Sequence, residues 1–304
     1  MDCILIGYGY WGHVIERYIR ESEQFRLLGI CDHHKEDGLA LPDMIDRIDC
    51  AFVCVPTRNH LAVVEQLLSH GIHVFCEKPL CKSYEDTKRL TALAKEKECV
   101  LFTDYIYMVS PSIRCMKQYL HRFGRVLYID MAIRQFGRFY QGEHVYETVG
   151  VHMLSVLAYL FEGAPIEIRQ VENVVCDDDG YAQDGFIYFE TAGVRGRLAC
   201  SLLAEQKERT VRVQCERGLL VFDMLGEYTV QALACEDTGD AKKPKESRIV
   251  LKERFDEGNN LREMIRLFAR TVREGGEENR QVTLTTQRAL HAVCGNSLAQ
   301  RVQA

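Results

Sequence analysis

The chain lacks an excess of positive charge, a long apolar run and a paired cysteine motif, and each absence removes a class of function. Its 38 lysines and arginines stand against 44 aspartates and glutamates, a formal net charge of −6. The basic face that a nucleic-acid partner requires is therefore not expected. No uninterrupted hydrophobic stretch approaches the about twenty residues of a membrane helix, so no membrane association is expected. A leader peptide is not expected either, because a strand-like segment starts at Cys3, directly after Met1-Asp2, and a cytoplasmic address follows. The 13 cysteines are odd in number, scattered and free of any C-x-x-C pair. Cys3, Cys31, Cys54 and Cys76 fall in or beside apolar segments, where reduced core thiols are expected rather than disulfides or a metal site. His33-His34 and the pair His70 and His73 lack the cysteine or carboxylate cluster that would complete a metal site. There is no internal repeat and no low-complexity tract.

What is present begins at once. Gly7-Tyr8-Gly9-Tyr10-Trp11-Gly12 follows the apolar run Cys3–Ile6 and precedes a helical pattern from His13 to Glu21. This G-x-G-x-x-G loop has a mechanism in that position. Gly7 allows a tight turn off the strand, Gly9 lets backbone approach a pyrophosphate, and Gly12 lets the helix pack close to the sheet. The helix N-terminus then faces the anion. Asp32 ends the next apolar run, Phe25–Cys31, about twenty residues past Gly12, where an acid that binds the ribose belongs. Glycine loops also occur as simple turns; the strand, the helix and Asp32 together favour dinucleotide binding.

At 304 residues, 47% of them hydrophobic and 27% charged, the chain has the length and composition for two globular domains. Further apolar runs stand at Cys50–Val55, His73–Cys76 and Val100–Thr103, with helical patterns at Leu61–Leu68 and Tyr84–Lys97 between them. This alternation predicts an α/β domain with a doubly wound parallel sheet over residues 1–120. Beyond it, period-two runs at Glu167–Val175, Gly185–Glu190, Arg195–Leu202, Thr210–Cys215 and Leu219–Phe222 predict an α+β domain over 121–304 with a large, mostly antiparallel sheet. Gly193 and Gly218 stand where hairpin turns belong. Two amphipathic helices, Leu261–Arg273 and Thr286–Val302, close the chain.

Three further motifs resemble the glucose–fructose oxidoreductase / inositol dehydrogenase (Gfo/Idh/MocA) family. They are Ala51-Phe52-Val53-Cys54-Val55-Pro56-Thr57 with His60, the Glu77-Lys78-Pro79 that ends His73–Cys76, and Gly150-Val151-His152-Met153-Leu154. The resemblance implies a Rossmann-type domain and a second, substrate-binding and oligomerising domain. It also implies NAD as cofactor, with NADP possible, and a homo-oligomer. Gly7, Gly9, Tyr10, Trp11, Gly12, Asp32, Pro56, Thr57, His60, Glu77 and Lys78 would hold the cofactor. Lys78 and His152 would be catalytic, converging from the two domains on a carbohydrate-like small molecule. Oxidising a secondary alcohol needs a hydride acceptor, a donor to the reacting oxygen and a proton shuttle; a lysine and a histidine suit the last two.

Each residue has a plainer reading. Lys78 beside Glu77 can be a surface ion pair, His152 on an apolar helix can be a core histidine, and His60 can orient a loop. Tyr105, Tyr107 and Trp11 fit core and site alike. The chain also departs from the family pattern. The family often has an aspartate four residues before its histidine, where Thr148 stands, and another three residues after it, where Ser155 stands. Glu147 is one step off, a rotation of about 100° on an α-helix. The segment from His33 to Asp49 is also short, with Lys35 as the cation nearest to Asp32. These departures keep a second class open: a catalytically weak dinucleotide-binding sensor or accessory protein.

Overall fold

The computed structural model describes residues 1–32, 44–236 and 246–301. The short segment after Asp32, Lys35 included, lies mostly outside the described residues. The chain forms two compact units, Met1–Ile106 with Asn259–Gln287, and Tyr107–Gly258 with the chain from Arg288 onward. The chain therefore crosses between the units three times, after Ile106, Gly258 and Gln287, in place of a single break near residue 120. No helix among the described residues is long and apolar enough to cross a membrane.

Unit one holds strands β1 (Asp2–Ile6), β2 (Arg26–Cys31), β3 (Cys50–Val53), β4 (His73–Cys76) and β5 (Leu101–Thr103). All pair in parallel, in the order β2-β1-β3-β4-β5. Chain direction along the sheet reverses at β1, and ligands of open α/β sheets bind at the carboxyl ends beside such a reversal. The strands read as continuous apolar runs because both faces are covered. One face presents Ile4, Ile6, Ala51, Val53, Val74 and Cys76 to Val64 and Leu67 of α2 (Thr57–Ser69) and to Leu90 of α3 (Tyr84–Glu96).

The other face explains why the unit is discontinuous. Phe52 pairs in register with Phe75, and Phe75 with Phe102, so three neighbouring strands place their rings in one row. Phe268, from α6 (Asn260–Glu274), lies among these rings and Phe25 at centroid distances of 5.6 to 6.0 Å. Met264, Ile265 and Ala269 are buried beside it. At the start of α7 (Glu278–Arg301), Asn279 acts as one more rung of the ladder: its amide donates to the Thr103 carbonyl and accepts the Thr103 N–H, both at 2.9 Å.

Unit two is built on an eight-stranded sheet. Its strands are β6 (Val126–Phe136), β7 (Ile166–Cys176), β8 (Ala182–Thr191), β9 (Val194–Ser201), β10 (Leu203–Cys215), β11 (Gly218–Asp223), β12 (Val230–Glu236) and β13 (Glu246–Glu253). The order is β13-β12-β11-β10-β6-β9-β8-β7, and only the β6–β9 pair is parallel. Gly193 is a turn glycine, with φ +76° beside Ala192 at +48° in the two-residue link between β8 and β9. Gly218 is not. It opens β11, and a Cβ there would sit 2.6 Å from both the Leu233 carbonyl oxygen and the Phe123 ring, so packing demands it. Helices α4 (Pro111–Tyr119) and α5 (Val151–Leu160) complete the unit; α5 is buried over nearly its whole length.

Phe268 is expected to be the main tie between α6 and the first sheet. Phe268→Ala should lower unfolding free energy by about 3–5 kcal/mol, as truncation of a fully enclosed aromatic does. Chemical denaturation checks this, and a loss below about 1 kcal/mol would show that α6 is held elsewhere.

Candidate active site

The three glycines of the loop have different reasons to be glycine. Gly7 has φ +91°, and a Cβ on it would lie 2.7 Å from Cys54 C and Val55 N, so both the turn and the backbone just past β3 exclude a side chain. Gly12 lies in the first turn of α1 (Tyr10–Arg20), where a Cβ would stand 2.3 Å from the Gly7 carbonyl oxygen. Gly9, the N-cap of α1, has an ordinary extended backbone (φ −78°, ψ −160°) and open space where a Cβ would go. Nothing among the described residues requires glycine there. The space lies at a helix N-terminus, which fits a pyrophosphate. Tyr10, 62% exposed, and Trp11 flank it with their rings edge-to-face at 5.3 Å. Asp32 follows β2, and its Oδ2 accepts the Tyr8 N–H at 2.6 Å, which pins the carboxylate against the glycine loop.

At the next strand end, Pro56 caps α2 and Thr57 opens it, so a second helix N-terminus stands at a carboxyl strand end. His60 is buried, with Nδ1 3.0 Å from the Pro79 carbonyl oxygen and Nε2 2.8 Å from that of Val55. Burial holds its pKa below the usual histidine value despite those carbonyls. It ties the β3–α2 loop to the Lys78-Pro79 turn and acts on the site through that loop.

Glu77 and Lys78 follow β4, and a residue that the sequence reading missed joins them. Asp104 follows β5; its N–H donates to the Cys76 carbonyl at 2.9 Å, while Glu77 N–H donates to Val53 at 3.0 Å. Glu77 is 7% and Asp104 3% exposed. Glu77 Oε1 and Asp104 Oδ1 are buried and accept no hydrogen bond from the described residues. Burial pushes the Glu77 pKa up to about 7, against the pull of the Lys78 charge. Burial, then the Glu77 charge, pushes Asp104 well above the carboxylate range. Two acids that cannot both ionise cheaply thus share a site beside one ammonium group. No spacing marks Asp104 in the sequence; only its burial does.

In unit two, His152 lies in the first turn of α5, with its ring edge-to-face to Tyr107 at 5.7 Å. The residues just before it, Tyr146–Gly150, form a π turn. The 100° step of an α-helix therefore does not carry over to Glu147, and π turns are frequent at functional sites. Glu147 is buried, and its carboxylate accepts the His144 N–H at 2.9 Å. Thr148 Oγ1 donates to the Val145 carbonyl at 3.2 Å, and Ser155 Oγ to the His152 carbonyl at 2.7 Å. Both hydroxyls serve backbone, at the two positions where the family resemblance led us to look for acids. Tyr107 is buried, with its hydroxyl 3.6 Å from Met224 Sδ. Its pKa is raised by burial, while the Arg209 charge pulls it down.

Residues 1–105 match the family model described as an oxidoreductase family with an NAD-binding Rossmann fold (GFO_IDH_MocA). The chain is 24% identical over 223 residues to UDP-N-acetylglucosamine 3-dehydrogenase of Acidithiobacillus ferrooxidans, covering 69% of each. It is 24% identical over 252 residues to 2,7-anhydro-N-acetylneuraminate hydratase of Mediterraneibacter gnavus, 72% of this chain and 66% of that protein. The chain thus matches about two thirds of each relative's length. The fold matches a protein of gentamicin A biosynthesis in complex with NAD at a TM-score of 0.83, with 17% identity, over 98% of this chain and 94% of that one.

The buried acid pair makes stability depend on pH. Both acids titrate higher in the folded than in the unfolded chain, so the folded state holds extra protons. The stabilisation is complete below the ordinary carboxylate value of 4.5 and is lost as pH rises through about 7. Melting temperature should therefore fall between about pH 5 and pH 8, and Asp104→Asn should flatten that slope. Equal slopes in the two proteins would show that the pair is not coupled.

Proposed function

We propose, for a chain that belongs to the Gfo/Idh/MocA oxidoreductases through its first 105 residues, that it is a nicotinamide-dependent oxidoreductase acting on a sugar-like or related polar metabolite. Gly9 carries the cofactor half of this reading: it is a glycine that the fold does not need, at a helix N-terminus where a pyrophosphate fits. The substrate class is supported by the name of the UDP-N-acetylglucosamine 3-dehydrogenase relative. When bound, nicotinamide supplies the hydride acceptor or donor. The glycine loop and the α1 N-terminus would hold the pyrophosphate, and Asp32 the ribose hydroxyls, which favours NAD over NADP. Lys78 hydrogen-bonds the reacting oxygen and stabilises negative charge as it develops. Glu77, as it ionises on passing pH of about 7, places a negative charge beside Lys78, which favours its ammonium form. His152 takes the alcohol proton in oxidation and returns it in reduction. Association of copies through the solvent-facing side of the eight-stranded sheet and a cytoplasmic location complete the reading.

Calorimetric titration with NADH and NADPH, followed by a carbohydrate panel, tests it. NADH should bind more tightly, and some panel member should turn over. Lys78→Met should then lose about a hundred- to a thousandfold in rate with NADH binding intact. His152→Asn should remove the limb in which oxidation speeds up with pH near neutrality. Cofactor binding with no turnover across the panel would favour the sensor reading, and binding of neither cofactor would end the proposal.

A further inference from the structure

We infer that Arg209 recognises a negatively charged group, a carboxylate or a phosphate, on the molecule bound in unit two. This rests on the reading that Tyr107 and His152 face the substrate, and it adds the substrate's charge class.

Arg209 lies in β10 and is only 9% exposed. Its Nη1 donates to the carbonyl oxygens of Arg134 and Glu208, each at 2.7 Å, and its Nη2 donates to Gln135 Oε1. All three acceptors are neutral, and no carboxylate among the described residues pairs with it. The acid next to it in sequence is committed elsewhere: Glu208 Oε2 lies 3.6 Å from Arg134 Nη1, and its Oε1 accepts Thr210 Oγ1 at 3.0 Å. A buried guanidinium normally has an anionic partner, because carbonyls replace its hydration but not its counter-charge.

The position of this charge links it to the site. The Arg209 carbonyl accepts the Met224 N–H at 3.0 Å, and Met224 Sδ accepts the Tyr107 hydroxyl. The Tyr107 ring in turn meets His152. Around the Tyr107 hydroxyl the charged groups are Arg209 and Glu257, which act on it in opposite directions, and Glu257 Oε1 also accepts the Ser112 N–H at 3.2 Å. With Nη1 committed to two carbonyls and Nη2 to Gln135, the Nε–H and the second Nη2 hydrogen are left for a planar carboxylate or a phosphate that reaches the Tyr107 hydroxyl, where the Arg209 charge acts.

The competing role is mechanical. The β6–β10 register slips between Leu203 and Glu208, and the Nη1 bonds to Arg134 and Glu208 staple that irregularity. Two substitutions separate the roles, because Arg209→Lys keeps the charge without the fork and Arg209→Gln keeps donors without the charge.

Glucose, glucuronate and glucose 1-phosphate are titrated calorimetrically into the full-length protein with NADH present, so no turnover is needed. At least one charged sugar should bind ten or more times more tightly than glucose, and the arm that does so identifies the anion. Arg209→Gln should abolish the preference, Arg209→Lys should retain part of it, and NADH affinity should not change in either. Equal binding of all three sugars, or an unchanged preference in Arg209→Gln, would overturn the inference. So would equal loss in the two variants, which is the signature of a staple. Should Arg209→Gln fail to fold, Arg209→Lys decides alone: loss of the whole preference overturns the inference. NADH binding is read separately, so failure of the oxidoreductase reading would show as lost cofactor binding and not as a lost preference between sugars.

Discussion

The backbone of Gly12 packs against the carbonyl of Gly7, and the geometry of unit one follows from that contact. It sets the first turn of α1 directly on the end of β1, with no side chain between them. The Gly7 N–H donates to the Cys31 carbonyl at 2.9 Å, and the Asp32 carboxylate takes the Tyr8 N–H, so β2 holds the same loop from its other side. A helix N-terminus, a carboxylate and the ends of two strands are thereby fixed within one short loop. What approaches this loop meets oriented N–H groups at Gly9, with no Cβ in the way.

The same sheet concentrates charge at its far strand ends. Glu77, Lys78 and Asp104 follow neighbouring parallel strands, where side chains leave the sheet at its ligand-binding edge. Burying two acids there is costly, and the cost appears as raised pKa values rather than as satisfied hydrogen bonds. Such an arrangement is a poor way to stabilise a fold and a useful way to set the protonation of a lysine. In unit two the pattern recurs with the opposite sign, since Arg209 is a buried cation stapled by carbonyls beside Tyr107.

Much of this was legible in the sequence because it depends on local order. The glycine loop, the strand–helix alternation, Asp32 at the end of β2 and the period-two strands of the second sheet all depend on residues close together in the chain. The two-unit division was less legible. The amphipathic pattern of Leu261–Arg273 shows that this helix buries a face, but not that Phe268 meets Phe25, Phe52, Phe75 and Phe102. Asp104 and Arg209 carry no spacing signal at all; what singles them out is the burial of a charged group type, which only tertiary packing creates. The π turn before His152 was likewise hidden, because no residue type marks it, and it removes the helical step on which the comparison of Glu147 with Thr148 rested. His60, read both among the cofactor contacts and as a residue that orients a loop, joins two backbone loops.

The central claim is that the open space over Gly9 is filled by a dinucleotide. The most direct measurement is NADH affinity and melting temperature in Gly9→Val. Gly9 has an extended backbone and no neighbour within 4 Å of a Cβ, so the fold should tolerate the substitution. The account predicts an unchanged melting temperature and NADH binding weakened by about a hundredfold or more, as expected when a branched side chain occupies the pyrophosphate position. Wild-type affinity for NADH in a stably folded Gly9→Val protein would contradict it.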